Sequence, residues 1–296
     1  MENVHASGEV QFRNVLFITD FSNSSELALP YAIALAAQYD GKVYLGHVIA
    51  PEMFEFLPPG LIPEISERIK IYARKRMEEL VRETSFYGVP HEALLKEGDI
   101  WETFKKVAAT YKIDVIALGT HGRCGTQKLL MGAVAEETVR MAHRPVLTVG
   151  PQSLEFVPEN RPRNILFAAD FSTDCLRAMD CAISLAHRFA AQLISLHVVS
   201  EVSRDSQVTT RFEHFFIQRL RELVQAPPGV ELEQEFRVEF GSPADCILKV
   251  ANSSNVDLIV MGVHGAGSLA RADRHFGTTA YRVVSEARCP VLTARG

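Results

Sequence analysis

Residues 114–125 read DVIALGTHGRCG, and residues 257–268 read DLIVMGVHGAGS. Each is an acid, an apolar run, a glycine, one residue, His-Gly and then another glycine. A short apolar run that ends in a turn is the pattern of a strand buried on both faces of a sheet. Finding the same word twice points to a duplication, and the flanking sequence decides the matter.

NVLFITDFS, beginning at residue 14, matches NILFAADFS at 164, an offset of 150; GHVI at 46 and LHVV at 196 keep that offset. Gly98-Asp99 and Gly241-Ser242 are 143 apart, as are the two quoted words, and RPVLTV at 144 and CPVLTA at 289 are 145 apart. The second copy is therefore seven residues shorter in its middle and two longer after its His-Gly. A chain of 296 residues suits two domains of about 150 each. We expect a first domain over 1–150, a linker over 151–163 with prolines and mixed charge, and a second domain over 164–296.

Composition narrows the class. Hydrophobic residues make up 47% and charged residues 23%, ordinary for a globular protein that buries a core without disulfides or metals. The net charge of −5 lacks the basic footprint of a nucleic-acid binder. No secretory signal opens the chain, and no apolar run of about 18 residues exists to span a membrane. Five scattered cysteines suit a reducing compartment, so a cytoplasmic location is expected.

Each copy alternates strand-like and helix-like segments. In the first copy the expected strands are 15–19, 42–49, 91–98, 115–119 and 145–149. A helix follows the first strand, with Ala28, Tyr31, Ala32, Leu35, Ala36 and Tyr39 at helical spacing, and Asp40-Gly41 stops it. A long charged helix is expected from about Pro63 to Phe86. Asp99 and Ser242 are expected to cap short helices, with Glu102 and Asp245 three residues on. The order predicts an α/β fold of two repeated doubly wound domains, each a mainly parallel five-stranded sheet with helices on both faces.

In such a sheet, ligands sit beyond the carboxyl ends of the strands where strand order reverses. Three segments of each copy should meet there: Asp20 or Asp170 after strand one, Val48 or Val198 ending strand two, and the glycine turn after strand four. Glycines let main-chain N–H groups approach an anion, and a following helix N-terminus adds partial positive charge. The turn thus reads as a phosphate cradle, with a ligand-free strand-to-helix turn as the alternative.

The strand-one Asp, the His-Val of strand two, the Gly-x2-Gly-x9-Gly-(Ser/Thr) loop and the terminal Pro-Val-Leu strand together resemble the universal stress protein family. The resemblance covers both copies. It implies ATP or a related adenine nucleotide as ligand, with or without Mg²⁺, the Asp and strand-two residue holding adenosine and the loop holding phosphates. In the first copy the matching residues are Asp20, Val48, Gly119, Gly122 and Gly132; Ala133 stands where the family has Ser or Thr. In the second they are Asp170, Val198, Gly262, Gly265, Gly277 and Thr278, with eleven residues instead of nine between Gly265 and Gly277. The resemblance further implies that strands 145–149 and 290–294 pair across a pseudo-twofold axis within one chain; association of whole chains into a homodimer stays open.

Other residues admit two readings each. His121 and His264 either touch phosphate or close their own turn, while His47 and His197 read as core histidines with a satisfied ring. Arg123, Lys128, Arg271 and Arg274 either neutralise phosphate or are solvated loop cations. Cys124 is a redox switch or a plain small residue, and Cys175 and Cys181 are expected on different helix faces. Residues 51–65, absent from the second copy, form a lid, a partner surface or a loop tucked on the core. No Gly-x4-Gly-Lys-(Ser/Thr), His-Glu-x2-His or Gly-x-Ser-x-Gly signature is present. A regulatory nucleotide binder is thus favoured, ahead of an interaction module that has lost its ligand and of a slow hydrolase.

Overall fold

The computed structural model describes residues 10–121, 131–153, 161–200, 206–264 and 278–296. The first copy contributes β1 (Asn14–Ile18), α1 (Asn23–Glu26), α2 (Leu29–Gln38), β2 (Lys42–Ile49), α3 (Ile62–Glu83), β3 (His91–Glu97), α4 (Ile100–Thr110), β4 (Val115–Gly119), α5 (Ala133–Met141) and β5 (Val146–Val149). The second contributes β6 (Asn164–Ala169), α6 (Thr173–Phe189), β7 (Gln192–Val199), α7 (Ser206–Leu223), β8 (Gln234–Phe240), α8 (Pro243–Ser253), β9 (Leu258–Gly262), α9 (Thr278–Glu286) and β10 (Val291–Ala294).

Among the described residues, ten strands form one sheet in the order β3-β2-β1-β4-β5-β10-β9-β6-β7-β8. Every pairing within a copy is parallel. β1 and β4 carry buried apolar runs, as strands covered on both faces must. One core layer joins residues of α2, α3 and α6 to one face of the sheet, and a second joins α4, α5, α8 and α9 to the other. Each copy is therefore doubly wound, and strand order reverses between β1 and β4 and between β6 and β9.

The copies meet through β5 and β10, which run antiparallel with Leu147 opposite Leu292. This pairing falls where the repeated Pro-Val-Leu-Thr segments placed it. Thr148 Oγ1 donates to the Val291 carbonyl at 3.0 Å, and Thr293 Oγ1 donates to the Val146 carbonyl at 3.3 Å, so the seam is close to symmetric. Neither strand is left as a bare edge. Across the seam, Tyr39 Oη lies 2.8 Å from Ser184 Oγ and the Arg188 guanidinium lies 5.2 Å from the Tyr39 ring centroid.

Local chemistry explains most boundaries. Asp40 takes a left-handed φ of 49°, and Gly41 N–H returns to the Ala36 carbonyl at 2.8 Å, which ends α2. Asp99 caps α4 by accepting from Glu102 N–H at 2.8 Å. The matching expectation for Ser242 is corrected. It stands at the N-cap of α8 but makes no cap bond to the backbone, because its hydroxyl goes to Asp245. Cys175 and Cys181, expected on different faces of α6, are both buried in the same core cluster.

Of residues 51–65, two stretches form short 3-10 turns, Pro51–Phe54 and Pro59–Leu61, and 62–65 already belong to the first turn of α3. Phe54 packs on the core, whereas Phe56 is 92% exposed.

Candidate functional site

Strand one of each copy ends in the same strained turn. Phe21 and Phe171 adopt φ of 62° and 60°, a left-handed conformation that costs a non-glycine residue on the order of 1 kcal/mol. That conformation swings the chain from the strand into a helix start. Asp20 Oδ1 accepts from Ser22 N–H at 3.0 Å and from Ser22 Oγ at 2.6 Å; Asp170 and Ser172 repeat both distances. Ser22 and Ser172 in turn cap α1 and α6 by accepting from Ser25 and Cys175 N–H.

The histidine of strand two supports this turn. His47 Nδ1 donates to the Thr19 carbonyl and His197 Nδ1 to the Ala169 carbonyl, each at 2.8 Å. Their rings pack on Phe21 at 4.3 Å and Phe171 at 4.8 Å. Both are satisfied core histidines, as their apolar strand context indicated. The two phenylalanines that complete the turn were not singled out by sequence reasoning. The repeated Asp-Phe-Ser was the available signal.

Burial pushes the His197 imidazolium below its ordinary range; neighbouring Asp170 opposes the shift and Arg219 adds to it. A depressed folded-state value means that protonation favours the unfolded chain. The stabilisation is complete above about 6.5 and is lost as pH falls below it. His197→Asn is therefore expected to flatten the fall in thermal midpoint between pH 7.5 and 5.5. Parallel falls in the two proteins would show that His197 does not carry the effect.

Across the reversal point from Asp20 lies the end of β4. Gly119 closes that strand, and a Cβ there would come within 2.3 Å of the Ser24 carbonyl oxygen. Gly262 is the second-copy counterpart, 3.0 Å from the Asp174 Cβ. Both glycines turn their open side toward the helix that follows strand one. The Val48 side chain is buried and Val198 packs against the same core layer, which leaves their main chain as the part near the strand ends.

Gly132 is the N-cap of α5 and has no side chain to cap it; its N–H donates to the Thr120 carbonyl at 2.7 Å. The first amides of α5, beginning with Ala133, lack partners within the helix, as at any helix start. His121 Nδ1 lies 2.9 Å from its neighbour Thr120 Oγ1, the self-closing arrangement of the two considered. Thr278 opens α9 and is exposed. Gly122, Gly265 and Gly277 lie outside the described residues, as do Arg123, Cys124, Lys128, Arg271 and Arg274. The donor set of each crevice is a carboxylate, main-chain amides and a helix start, which suits hydroxyls and an anion better than a bare cation. Among the described residues no group of three or more His, Cys, Asp or Glu could hold a metal, and no helix is long and apolar enough to cross a membrane.

Sequence reasoning missed Asp174, which is buried at the second crevice and holds both His264 and Gly296. A cavity of about 140 Å³ lies elsewhere, at the seam between Tyr31, Leu147, Phe189, Asp257, Cys289 and Leu292. Burial pushes the Cys289 thiol there up to about 12, so it stays protonated and unreactive at neutral pH.

A tandem of doubly wound units that share one sheet, each with this crevice, defines the class. The chain belongs to the universal stress protein family, whose model matches residues 11–150 and again 162–295. It is 24% identical over 294 residues to a universal stress protein of Mycolicibacterium smegmatis, covering 95% of this chain and 96% of that one. A Synechocystis universal stress protein is 24% identical over 311 residues, covering 96% and 100%. Among solved structures, a universal stress protein from Archaeoglobus fulgidus superposes with a TM-score of 0.68 at 22% identity, covering 97% of each chain.

Proposed function

We propose that the chain binds ATP or a related adenine nucleotide as a regulatory ligand in a stress response. The crevice at the end of β1 and β4, and its counterpart at β6 and β9, hold it. Asp20 or Asp170 and the main chain at Val48 or Val198 face the nucleoside. Gly119, Gly122, Gly132 and Ala133, or Gly262, Gly265, Gly277 and Thr278, face the phosphates. The observation that carries this reading is the side-chain-free N-cap of α5, which opens at the reversal point next to the strand bearing Asp20. Ala133 offers an amide but no hydroxyl, which forgoes about 0.5–1.5 kcal/mol of net hydrogen bonding. Any accompanying Mg²⁺ would be held mainly by the phosphates. Turnover is not its task.

One observation favours a second reading, an interaction module without nucleotide: both strand-one carboxylates already accept two bonds from their own turns. Calorimetry with ATP separates the two. Binding is expected, with Gly122→Val or Gly265→Val weakening it by at least about tenfold at the crevice that ATP occupies, through loss of backbone approach. Absence of heat in the unaltered protein, together with no nucleotide in the natively purified material by mass spectrometry, rejects nucleotide binding in favour of the module.

A further inference from the structure

The two crevices differ at one buried position. Ser24 of the first copy corresponds, at the offset of 150, to Asp174 of the second. Asp174 lies in the first turn of α6 and is 7% exposed. Its Oδ2 accepts the His264 main-chain N–H at 3.1 Å and lies 2.9 Å from His264 Nδ1; its Oδ1 accepts the Gly296 N–H at 2.9 Å. An ionised carboxylate only accepts, so Nδ1 carries the ring proton. Ser172 Oγ, whose proton goes to Asp170, lies 3.3 Å from the His264 carbonyl.

Three N–H groups, from the chain just after β9 and just after β10, thus converge on one buried oxyanion. This is an anion site filled from within the protein. The first copy lacks both halves of it. Position 24 carries no charge, and the residue matching Gly296 at the offset of 145 is Pro151, which has no N–H to give. The first-copy imidazole is correspondingly turned to Thr120. Donor and charge change together between the copies, which separates this arrangement from an incidental substitution.

We infer that Asp174 is a specificity-determining residue that sets the second crevice against phosphoanions. The second copy then takes a nucleoside of little or no charge, while polyphosphate goes to the first. Two physical effects act in the same direction. Asp174 consumes the His264 amide at the start of the glycine turn, so that amide is withdrawn from any external anion. Its charge also offsets the partial positive charge of the α6 N-terminus and repels an incoming anion. The inference rests on reading the crevice as a nucleotide site, but its central term, an internal anion excluding an external one, can be measured without a nucleotide.

The test compares Asp174→Ser and Asp174→Asn in a Gly122→Val background that silences the first crevice. Adenosine, ATP and inorganic tripolyphosphate are titrated by calorimetry, with urea midpoints alongside. The expected result is at least about tenfold tighter binding of ATP and tripolyphosphate with adenosine unchanged. Asn keeps the shape of the side chain and an oxygen for Gly296, so it carries the test if the Ser variant does not fold. Unchanged phosphoanion affinity in a folded variant, with only the urea midpoint moving, overturns the inference and leaves Asp174 a staple. Tighter tripolyphosphate without any binding of ATP or adenosine would instead retain Asp174's role and remove the nucleotide reading of the second crevice.

Discussion

Leu292→Asp is expected to cost more than about 4 kcal/mol, enough to consume much of the 5–15 kcal/mol that holds a typical domain folded. Leu292 is 1% exposed and sits opposite Leu147 at the centre of the β5–β10 pair, where both copies contribute to one core layer. Removing the leucine packing alone is worth about 2–5 kcal/mol, as Leu292→Ala should show. The aspartate adds a charge inside an apolar core layer, where its desolvation costs more still. Urea unfolding reads the total, and hydrogen exchange reads its location. Thr148 and Val291 amides should lose protection first, ahead of β3 and β8 at the outer edges. Phe56→Asp is the control: at 92% exposure it should shift the midpoint by less than about 0.5 kcal/mol. Comparable losses in the two variants would mean that the seam is not the element joining the copies.

The seam was legible through the family resemblance, which marks the strands carrying the two Pro-Val-Leu-Thr words as pairing edges. The inner strands were legible for a different reason. A strand covered on both faces has no polar positions to blur it, so Val115–Gly119 and Lys42–Ile49 fall where the apolar runs place them. The helix after strand one was less legible. Its apolar stripe from Ala28 to Tyr39 marks α2 but gives no sign of the short α1 ahead of it, which stops before Leu27–Ala28 because Pro30 cannot extend a preceding turn. Contacts between distant residues left no trace. Asp174 reads locally as one acid in the first turn of a helix, and only its donors 90 and 122 residues away reveal its work.

The same limit governs the glycines. A sequence shows that a Cβ is missing, without showing which neighbour required its absence. Gly119 and Gly262 belong to the motif matched to a phosphate cradle, and the neighbour that a Cβ at each would meet is the helix after strand one.

Gly119→Ala should therefore be a folding variant before it is a binding variant, destabilising by about 2–4 kcal/mol through overpacking that no rotamer change relieves. The new methyl would lie 2.3 Å from the Ser24 carbonyl oxygen and 2.8 Å from the Ser25 Cα, both backbone atoms of α1. To make room, α1 must move away from β4, and with it Ser25, whose hydroxyl lies 3.0 Å from Thr19 Oγ1 at the end of strand one. Ser22 and the Asp20 carboxylate that it anchors are part of the same turn. Gly262→Ala meets a milder obstacle, the Asp174 Cβ at 3.0 Å, and should cost about 1 kcal/mol. Urea midpoints of the two variants give the comparison directly. Equal, small losses would mean that α1 is free to ride away from the sheet, and that the carboxylate at the first crevice is held by its own turn alone.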